Sequence, residues 1–288
     1  IKNKIMIFWI ASYPKSGNTW LRALLSAYYF TQDGIFVKDS LLENISQFPQ
    51  KKYFDKFQYN SKIAGETVRF WIKAQELINK DRKIKFFKTH NFLGTLGGNK
   101  FTDLKNTIGA VYIVRDPRNV ITSYKNHFEL TYENALEYML NEKRFTYDQS
   151  KKDDFSDFQF VSSWEKNYQS WMYNKAFPTM FIKYENLHNE TFAVFKSLIN
   201  FIDEVCKNKK KFNKKKAQNA LLSTSFSKLK KIEQQKGFSE SLISSDNKNK
   251  IPFFFLGPEN DWKKKIDKDF QKKINSAFKK NLSELKYI

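Results

Sequence analysis

A nine-residue segment near the N-terminus combines residue types that bind oxyanions. It reads Ser12-Tyr13-Pro14-Lys15-Ser16-Gly17-Asn18-Thr19-Trp20, follows a short apolar run and leads into a helical pattern. A loop that opens a helix directs backbone N–H groups and the helix dipole at a ligand, which favours phosphate or a related oxyanion. Gly17 permits close approach of the backbone, and Lys15 adds a mobile positive charge. The segment therefore predicts an anion site, but not a Walker A loop, because Lys15 precedes Gly17.

Two later segments place charged and titratable residues at the ends of apolar runs. Arg115 follows the run 110–114, and Ser123 lies eight positions beyond it, a spacing that fits one anion held between a strand end and a helix. Lys88 and His90 close the run that begins at residue 84. Open α/β sheets bind ligands at the carboxyl ends of their strands, where a neutral imidazole can accept a proton from a hydroxyl group. These positions make both segments candidates for a ligand site, although residues 115–119 alone could be a surface turn with a helix cap and a lone histidine is more often structural than catalytic.

The three segments resemble those of the cytosolic-type sulfotransferases that use 3′-phosphoadenosine 5′-phosphosulfate (PAPS). Residues 14–20 are similar to the family's 5′-phosphosulfate loop, residues 111–124 to its 3′-phosphate segment, and residues 87–90 to its KTH motif. The resemblance implies donor contacts at Lys15, Ser16, Gly17, Asn18, Thr19, Trp20, Arg115 and Ser123. Because the matches continue in family order to residue 263, the resemblance covers nearly the whole chain.

Weaker matches extend the implied nucleotide site. Residues 181–187 are similar to the family's YEDL segment and contribute Tyr184, while residues 224–230 are similar to its TSFxxMK segment and contribute Thr224 and Phe226. Trp20 and Phe226 are expected to enclose the adenine by stacking.

The chain departs from the family pattern near its C-terminus. Gly257 matches the glycine of the family's RKGxxGDWK segment, but Phe255 and Leu256 replace the two cations that precede it. A bacterial-type subfamily would explain this change, and so would an altered use of the donor. Candidate replacements for the lost cations are Lys248, Lys250 and Lys263.

The resemblance also implies a mechanism, which is in-line transfer of a sulfuryl group from PAPS to a hydroxyl or amine, with 3′-phosphoadenosine 5′-phosphate (PAP) as product. His90 is expected to remove the acceptor proton. Lys15 would stabilise the leaving phosphate, Lys88 would assist the transferring group, and Ser123 would hold Lys15 until the acceptor binds. No metal is expected, because lysines and backbone N–H groups supply the charge that Mg²⁺ supplies in kinases.

The elements that must position these residues alternate between strands and helices. Apolar runs at 5–12, 84–88, 110–114 and 177–182 are typical of buried parallel strands, and helical patterns lie between them. This alternation predicts an α/β fold with a P-loop-like parallel sheet covered by helices on both faces, and a helical C-terminal part. We expect one domain over residues 1–288, with a mobile lid or loop around 225–262.

The composition excludes several classes of protein. The hydrophobic fraction of 41% excludes a disordered chain, and the single cysteine, Cys206, excludes a disulfide scaffold or a cysteine-based zinc site. No apolar run reaches the length of a membrane helix, so the sequence predicts a cytoplasmic protein without a transmembrane segment.

The net charge of +21 keeps two alternatives open. A P-loop-type nucleotide kinase would share the strand, loop and helix but should carry a Walker A lysine. A non-enzymatic basic protein could bind nucleic acid or another polyanion, although only six residues are arginine, so no nucleic-acid partner is expected. Seven lysines between Lys207 and Lys216 are typical of a solvated surface.

The acceptor is not identified by the sequence; a small molecule, a lipid or a carbohydrate would all fit. Aromatic residues could line an acceptor pocket or pack in the core, and both interpretations stay open; they are Phe48, Tyr53, Phe54, Phe57 and Tyr59. His127 and His188 are interpreted as structural or surface residues. Oligomeric state is also left open, since the family's KxxxTVxxxE dimer motif has no counterpart here.

Overall fold

The computed structural model describes residues 6–148, 151, 153–244 and 249–288. Its centre is a four-stranded parallel sheet in the order β2-β1-β5-β8. The described strands are β1 (Ile7–Ser12), β2 (Lys85–Thr89), β3 (Thr95–Leu96), β4 (Asn99–Lys100), β5 (Thr107–Val114), β6 (Phe145–Thr146), β7 (Gln159–Phe160), β8 (Thr179–Lys183), β9 (Leu242–Ile243) and β10 (Lys250–Ile251). The three remaining strand pairs, β3–β4, β6–β7 and β9–β10, are short and antiparallel.

Helices follow or connect these strands. They are α1 (Asn18–Phe30), α2 (Trp71–Ile78), α3 (Pro117–Phe128), α4 (Tyr132–Leu140), α5 (Trp164–Met172), α6 (Tyr184–Asn189), α7 (Thr191–Val205), α8 (Lys214–Ser223), α9 (Phe226–Lys236), α10 (Trp262–Lys265), α11 (Lys268–Ala277) and α12 (Lys279–Glu284). Short 3-10 helices span Asp39–Ile45, Lys51–Tyr53, Glu66–Phe70, Asn79–Asp81 and Gly257–Glu259. None of the described helices is both long enough and apolar enough to cross a membrane.

The central strand β1 shows why this chain forms a sheet that is covered on both faces. All six of its residues are buried, and successive side chains point to opposite faces. Trp9 joins one apolar cluster with α3, α5 and α11, whereas Phe8 and Ile10 join a second cluster with α1 and α7. The predicted α/β sheet with helices on both faces is confirmed.

The four main strands agree with the sequence prediction to within three residues at each end. Because all four are parallel, their carboxyl ends lie at one edge of the sheet. Residues 12–17, 90, 115 and 184 leave the sheet at that edge, so the topology collects the predicted site from four distant segments.

The aromatic residues that could have lined a pocket pack in the core instead. Phe48 and Phe54 are fully buried, and the Phe48 ring lies 5.7 Å from Trp9 and 6.2 Å from Phe101. Tyr53, Phe57 and Tyr59 pack against the same cluster. The core interpretation of these five residues is therefore correct.

We expect Phe48→Ala to lower the free energy of unfolding by about 3–5 kcal/mol, because it leaves a cavity among fixed aromatic rings. Denaturant unfolding measures this loss. Phe255→Ala is the matched control, since the Phe255 side chain is 47% exposed and its removal should change stability by no more than about 0.5 kcal/mol. An unchanged midpoint for Phe48→Ala would contradict the core assignment.

Candidate active site

The loop between β1 and α1 has the backbone conformation of an anion-binding turn. Lys15 has φ 65° and Gly17, which caps α1, has φ 97°, so both lie in the left-handed region. A Cβ atom at Gly17 would lie 2.5 Å from the Tyr184 ring, which excludes a larger residue. Asn18 ties the loop to β1, because its Nδ2 atom donates hydrogen bonds to Ile10 O and Ser12 Oγ, both at 3.1 Å. The first N–H groups of α1 have no acceptor within the helix.

A cavity of about 1230 Å³ opens at this edge of the sheet. Most of the predicted site residues line it together: Lys15, Gly17, Asn18, Thr19, Trp20, Lys88, His90, Arg115, Ser123, Tyr184, Phe226 and Gly257. Ser16 and Thr224 do not; both are fully buried beside the cavity, and the Thr224 hydroxyl donates to Ala220 O within its own helix. The structure thus brings twelve of the fourteen predicted residues to one cavity.

Lys15 lines this cavity, and its surroundings destabilise the charged form of its side chain. Its Nζ atom lies 4.1 Å from the centre of the Phe253 ring. The pKa of Lys15 is lowered to about 7, mainly by burial; Glu240 opposes this shift, and the charges of Lys88 and Arg115 add to it. The expected contact between Lys15 and Ser123 stays a prediction; both residues line this cavity. An anion entering the cavity would favour the charged ammonium.

His90 is held as a neutral imidazole. Its Nδ1 atom donates to Ser12 O at 2.8 Å, because a carbonyl oxygen can only accept, so Nε2 carries the lone pair. Burial lowers the pKa of His90 to about 3, and the neighbouring charge of Lys88 acts in the same direction. The His90 N–H donates to Gln159 Oε1 at 2.8 Å, which fixes the backbone. The residue is therefore oriented to accept a proton at Nε2.

Glu240 is the residue that sequence reasoning missed. Its carboxylate accepts from Thr19 Oγ1 at 2.6 Å and from Arg22 Nη1 at 2.5 Å, and it lies 3.3 Å from Lys88 Nζ. Burial alone would raise its pKa, but Lys88, Arg22 and the Thr19 hydroxyl outweigh burial and hold the pKa well below its usual range. The sequence contained one sign of such a residue. Arg22 lies next to the apolar positions of α1, and an arginine in that place needs a buried acidic partner.

Arg115 and Tyr184 form the other side of the cavity. The Arg115 guanidinium lies 4.2 Å from the Tyr184 ring centre, and its Nη1 atom donates to Lys15 O at 3.4 Å. Trp20 packs edge-on against Tyr184 at 5.7 Å. Arg118 does not enter the cavity, because it pairs with Asp116, the residue that caps α3. One arginine of the RDPR sequence is thus structural and the other faces the cavity.

Both remaining histidines also line the cavity, although the sequence analysis interpreted them as structural or surface residues. The His188 ring stacks parallel to Tyr184 at 6.3 Å. His127 lies edge-on to Phe253 at 5.6 Å, and burial lowers its pKa to about 3.

Among the described residues, none of the candidate lysines takes the place of the two cations that Phe255 and Leu256 replace. Lys250 and Lys263 do not line the cavity, and Lys248 lies outside the described residues. Gly257 has φ 52°, and a Cβ atom there would lie 2.3 Å from the Phe226 ring. Close packing between Gly257 and Phe226 therefore explains the glycine without a phosphate contact.

Comparison with known proteins agrees with this geometry. A family profile described as "Sulfotransferase domain" matches residues 7–286. The chain belongs to the sulfotransferase domain family. This membership sets aside the kinase and the non-enzymatic polyanion binder as descriptions of the chain.

Individual sulfotransferases are similar over most of their length. Luciferin sulfotransferase of Photinus pyralis is 23% identical and the match covers 89% of this chain and 70% of the relative. Sulfotransferase 1A1 of Rattus norvegicus is 22% identical over 88% and 77% of the two chains. Among solved structures, retinol dehydratase in a complex with retinol and PAP is 15% identical, with a TM-score of 0.54 and coverage of 98% and 82%, which supports the fold.

The paired state of Glu240 predicts a pH-dependent stability. Because its pKa is lower in the folded chain than in the unfolded chain, its contribution is complete above the unfolded value of about 4.3 and is lost as the pH falls below it. Glu240→Gln should therefore lower the free energy of unfolding at pH 7 by about 2 kcal/mol, somewhat less than for a fully buried ion pair because the side chain keeps 22% exposure.

Denaturant unfolding of the wild type and Glu240→Gln between pH 3 and pH 7 measures this effect. The difference between them should shrink toward the acid end. A difference that stays constant with pH would show that the carboxylate charge does not stabilise the fold.

Proposed function

We propose that this sulfotransferase transfers a sulfuryl group from PAPS to an acceptor hydroxyl, with His90 as the general base. The observation that carries the proposal is that a neutral His90, bonded through Nδ1 to Ser12 O, shares one cavity with Lys15 and Lys88. A base and two cations around one space are what sulfuryl transfer requires, because a proton leaves the acceptor while negative charge grows on the leaving phosphate.

The residues fit a donor with two anionic ends. The N-terminus of α1 with Lys15 and Thr19 would bind one anionic group, and Arg115 with Ser123 would bind the other; Trp20 and Phe226 line the same cavity. The donor supplies the sulfuryl group when it is bound. Arg115 has a buried Nε atom without a hydrogen-bond partner among the described residues, which is consistent with a ligand at this position.

The roles of the residues follow from their positions. His90 accepts the acceptor proton at Nε2, and its Nδ1 bond to Ser12 keeps the ring in the correct tautomer. Lys15 faces the leaving phosphate, whose charge restores the ammonium form of this lysine. Lys88 neutralises the group in transfer. Proximity of negative charge also raises the basicity of His90 during the reaction.

We expect Lys15→Ala and His90→Asn to lower kcat by about 10²- to 10³-fold each, because each removes a group aimed at developing charge or the transferred proton. Release of PAP in the presence of an accepted substrate measures turnover. Lys263→Ala, an exposed lysine outside the cavity, is the matched control for the lysine change. Full activity in either site variant would remove that residue from the mechanism.

The low pKa of His90 predicts the acid side of the pH profile. Because the ring of the free protein stays neutral down to about pH 3, protonation of His90 should not reduce kcat/KM near the ordinary imidazole value of about 6.5. Measurement of kcat/KM from pH 5 to pH 8 tests this. A titration near 6.5 that disappears in His90→Asn would contradict the described environment of the ring.

Glu240 provides a test of where the donor binds. Its carboxylate holds Thr19 and Lys88, the same groups that would face the donor, so carboxylate and donor compete for them. We expect Glu240→Gln to bind PAP about tenfold more tightly, which corresponds to about 1.4 kcal/mol.

Calorimetric titration with PAP measures this change. Glu43→Gln is the matched control, because Glu43 is an exposed residue that lines the same cavity and carries the same charge. Weaker binding to Glu240→Gln than to the wild type, with Glu43→Gln unchanged, would place the donor's anionic group away from Thr19 and Lys88.

A further inference from the structure

The end of the cavity beside His90 has a predominantly polar wall. Three chain segments form it: residues 46–52, residues 146–148 and residues 157–159. The side chains that these segments contribute to the wall include Gln47, Gln50, Thr146, Tyr147, Asp157 and Gln159. All of them carry hydrogen-bonding groups, in contrast to the mainly hydrophobic lining that is usual for small-molecule sites.

Backbone contacts hold this wall next to the proposed base. The N–H of Lys88 donates to Ser46 O at 2.9 Å, and the N–H of Phe48 donates to Lys88 O at 2.9 Å, so the segment 46–48 runs beside β2 two residues before His90. The N–H of Lys51 donates to Asp157 Oδ1 at 2.6 Å, which joins the first and third segments.

The second segment is joined to the third by strand pairing. Thr146 lies opposite Gln159 in the antiparallel pair β6–β7. All three segments are thus fixed relative to His90, and the wall exists before any acceptor binds.

Gln159 is the central polar group of this wall. Its side chain is almost completely buried, and its Oε1 atom accepts from the His90 N–H at 2.8 Å. Its amide nitrogen has no hydrogen-bond partner within the described part of the chain, nor do the side chains of Gln50, Thr146 and Tyr147. A ligand that displaced water from these groups without replacing its hydrogen bonds would leave them unsatisfied, which is costly.

The aromatic residues nearest to this segment in sequence do not offset the polarity. Phe48 and Phe54 are fully buried in the core and do not line the cavity. The aromatic rings that line the cavity include Phe128, Tyr147 and Phe253; Phe253 packs against Lys15, and Tyr147 carries a hydroxyl group. A flat apolar acceptor would therefore cover several unpaired polar groups.

We propose that the acceptor is a hydroxyl-rich molecule of the carbohydrate class, bound by Gln50, Thr146 and Gln159 with one of its hydroxyl groups at His90. This inference rests on the proposed function. In the transfer, an acceptor oxygen forms a bond to sulfur as the bond from sulfur to the phosphate oxygen of the donor breaks. The hydroxyl proton moves to His90 Nε2 and then to solvent, and PAP leaves.

The test compares two classes of acceptor with the same protein and PAPS. The hydroxyl-rich probes are methyl β-glucoside, N-acetylglucosamine, cellobiose and maltose; the apolar probes are 4-nitrophenol and 17β-estradiol. We expect kcat/KM for at least one sugar to exceed that for both apolar probes by tenfold or more. If no probe is turned over, the unfolding temperature of the PAP-bound protein is measured with each probe in turn. We expect a sugar to raise this temperature and neither apolar probe to do so.

Variants of the wall residues test whether these residues cause the preference for sugar acceptors. Gln159→Leu and Gln50→Leu should each lower kcat/KM for the accepted sugar by about tenfold, or its binding where no turnover is seen, and leave PAP affinity unchanged. Gln58→Leu is the matched control, because Gln58 is exposed and lies outside the cavity. Gln159→Glu tests whether Gln159 donates to the acceptor, since it keeps the shape of the side chain and removes the donor.

Two outcomes would overturn the inference. One is higher kcat/KM, or selective binding, for an apolar probe over every sugar; the other is the absence of binding by any of the four sugars to the PAP-bound protein. Both leave the proposed function intact if PAP binds and the apolar probe is sulfated. Failure of the protein to bind PAP would instead contradict the proposed function itself.

Discussion

The burial of several cations together at the carboxyl edge of the sheet is the constraint on which the rest of the site depends. Lys15, Arg22, Lys88 and Arg115 all line one cavity. Burial away from bulk water is the main cause of the lowered pKa values of Lys15 and Lys88, and the neighbouring cations act in the same direction. Glu240 offsets part of this effect by pairing with Arg22 and Lys88. A bound anion, as in the proposed function, would offset more of it.

The fold keeps these charges in place because each one lies on a segment fixed by the sheet. The loop carrying Lys15 is bonded through Asn18 to β1, Lys88 lies within β2, and Arg115 follows β5 directly. The strands are covered on both faces by apolar clusters, so the cation cluster cannot relax by moving apart. The same arrangement fixes His90, whose ring is hydrogen-bonded to the carbonyl oxygen of Ser12 at the end of β1.

The sequence predicted the fold and most of the lining because both depend on local patterns. Buried parallel strands are continuous apolar runs, and residues that follow such runs meet at one edge, which placed Lys15, His90 and Arg115 correctly at the cavity. Contacts between distant and irregular segments carry no such pattern. Glu240 meets Thr19 across 221 positions and comes from a polar stretch whose conformation no periodicity indicates.

Packing details were equally hidden from the sequence. Thr224 belongs to a matching motif, but its hydroxyl satisfies a carbonyl of its own helix and does not face the cavity. The aromatic residues after Phe48 could be assigned to the core only once Trp9 and Phe101 were seen to surround them. The polar wall beside His90, which includes Gln159, depends on a pair of two-residue strands too short to be predicted from alternation.

The most direct test of the account is calorimetric titration of the wild-type protein with PAP and, separately, with ATP at the same ionic strength. The account predicts that PAP binds at least tenfold more tightly than ATP, because the cavity holds separate cationic groups for the two anionic ends of PAP. Equal affinity for the two nucleotides, or no binding of PAP, would contradict the claim that this edge of the sheet is a PAPS site.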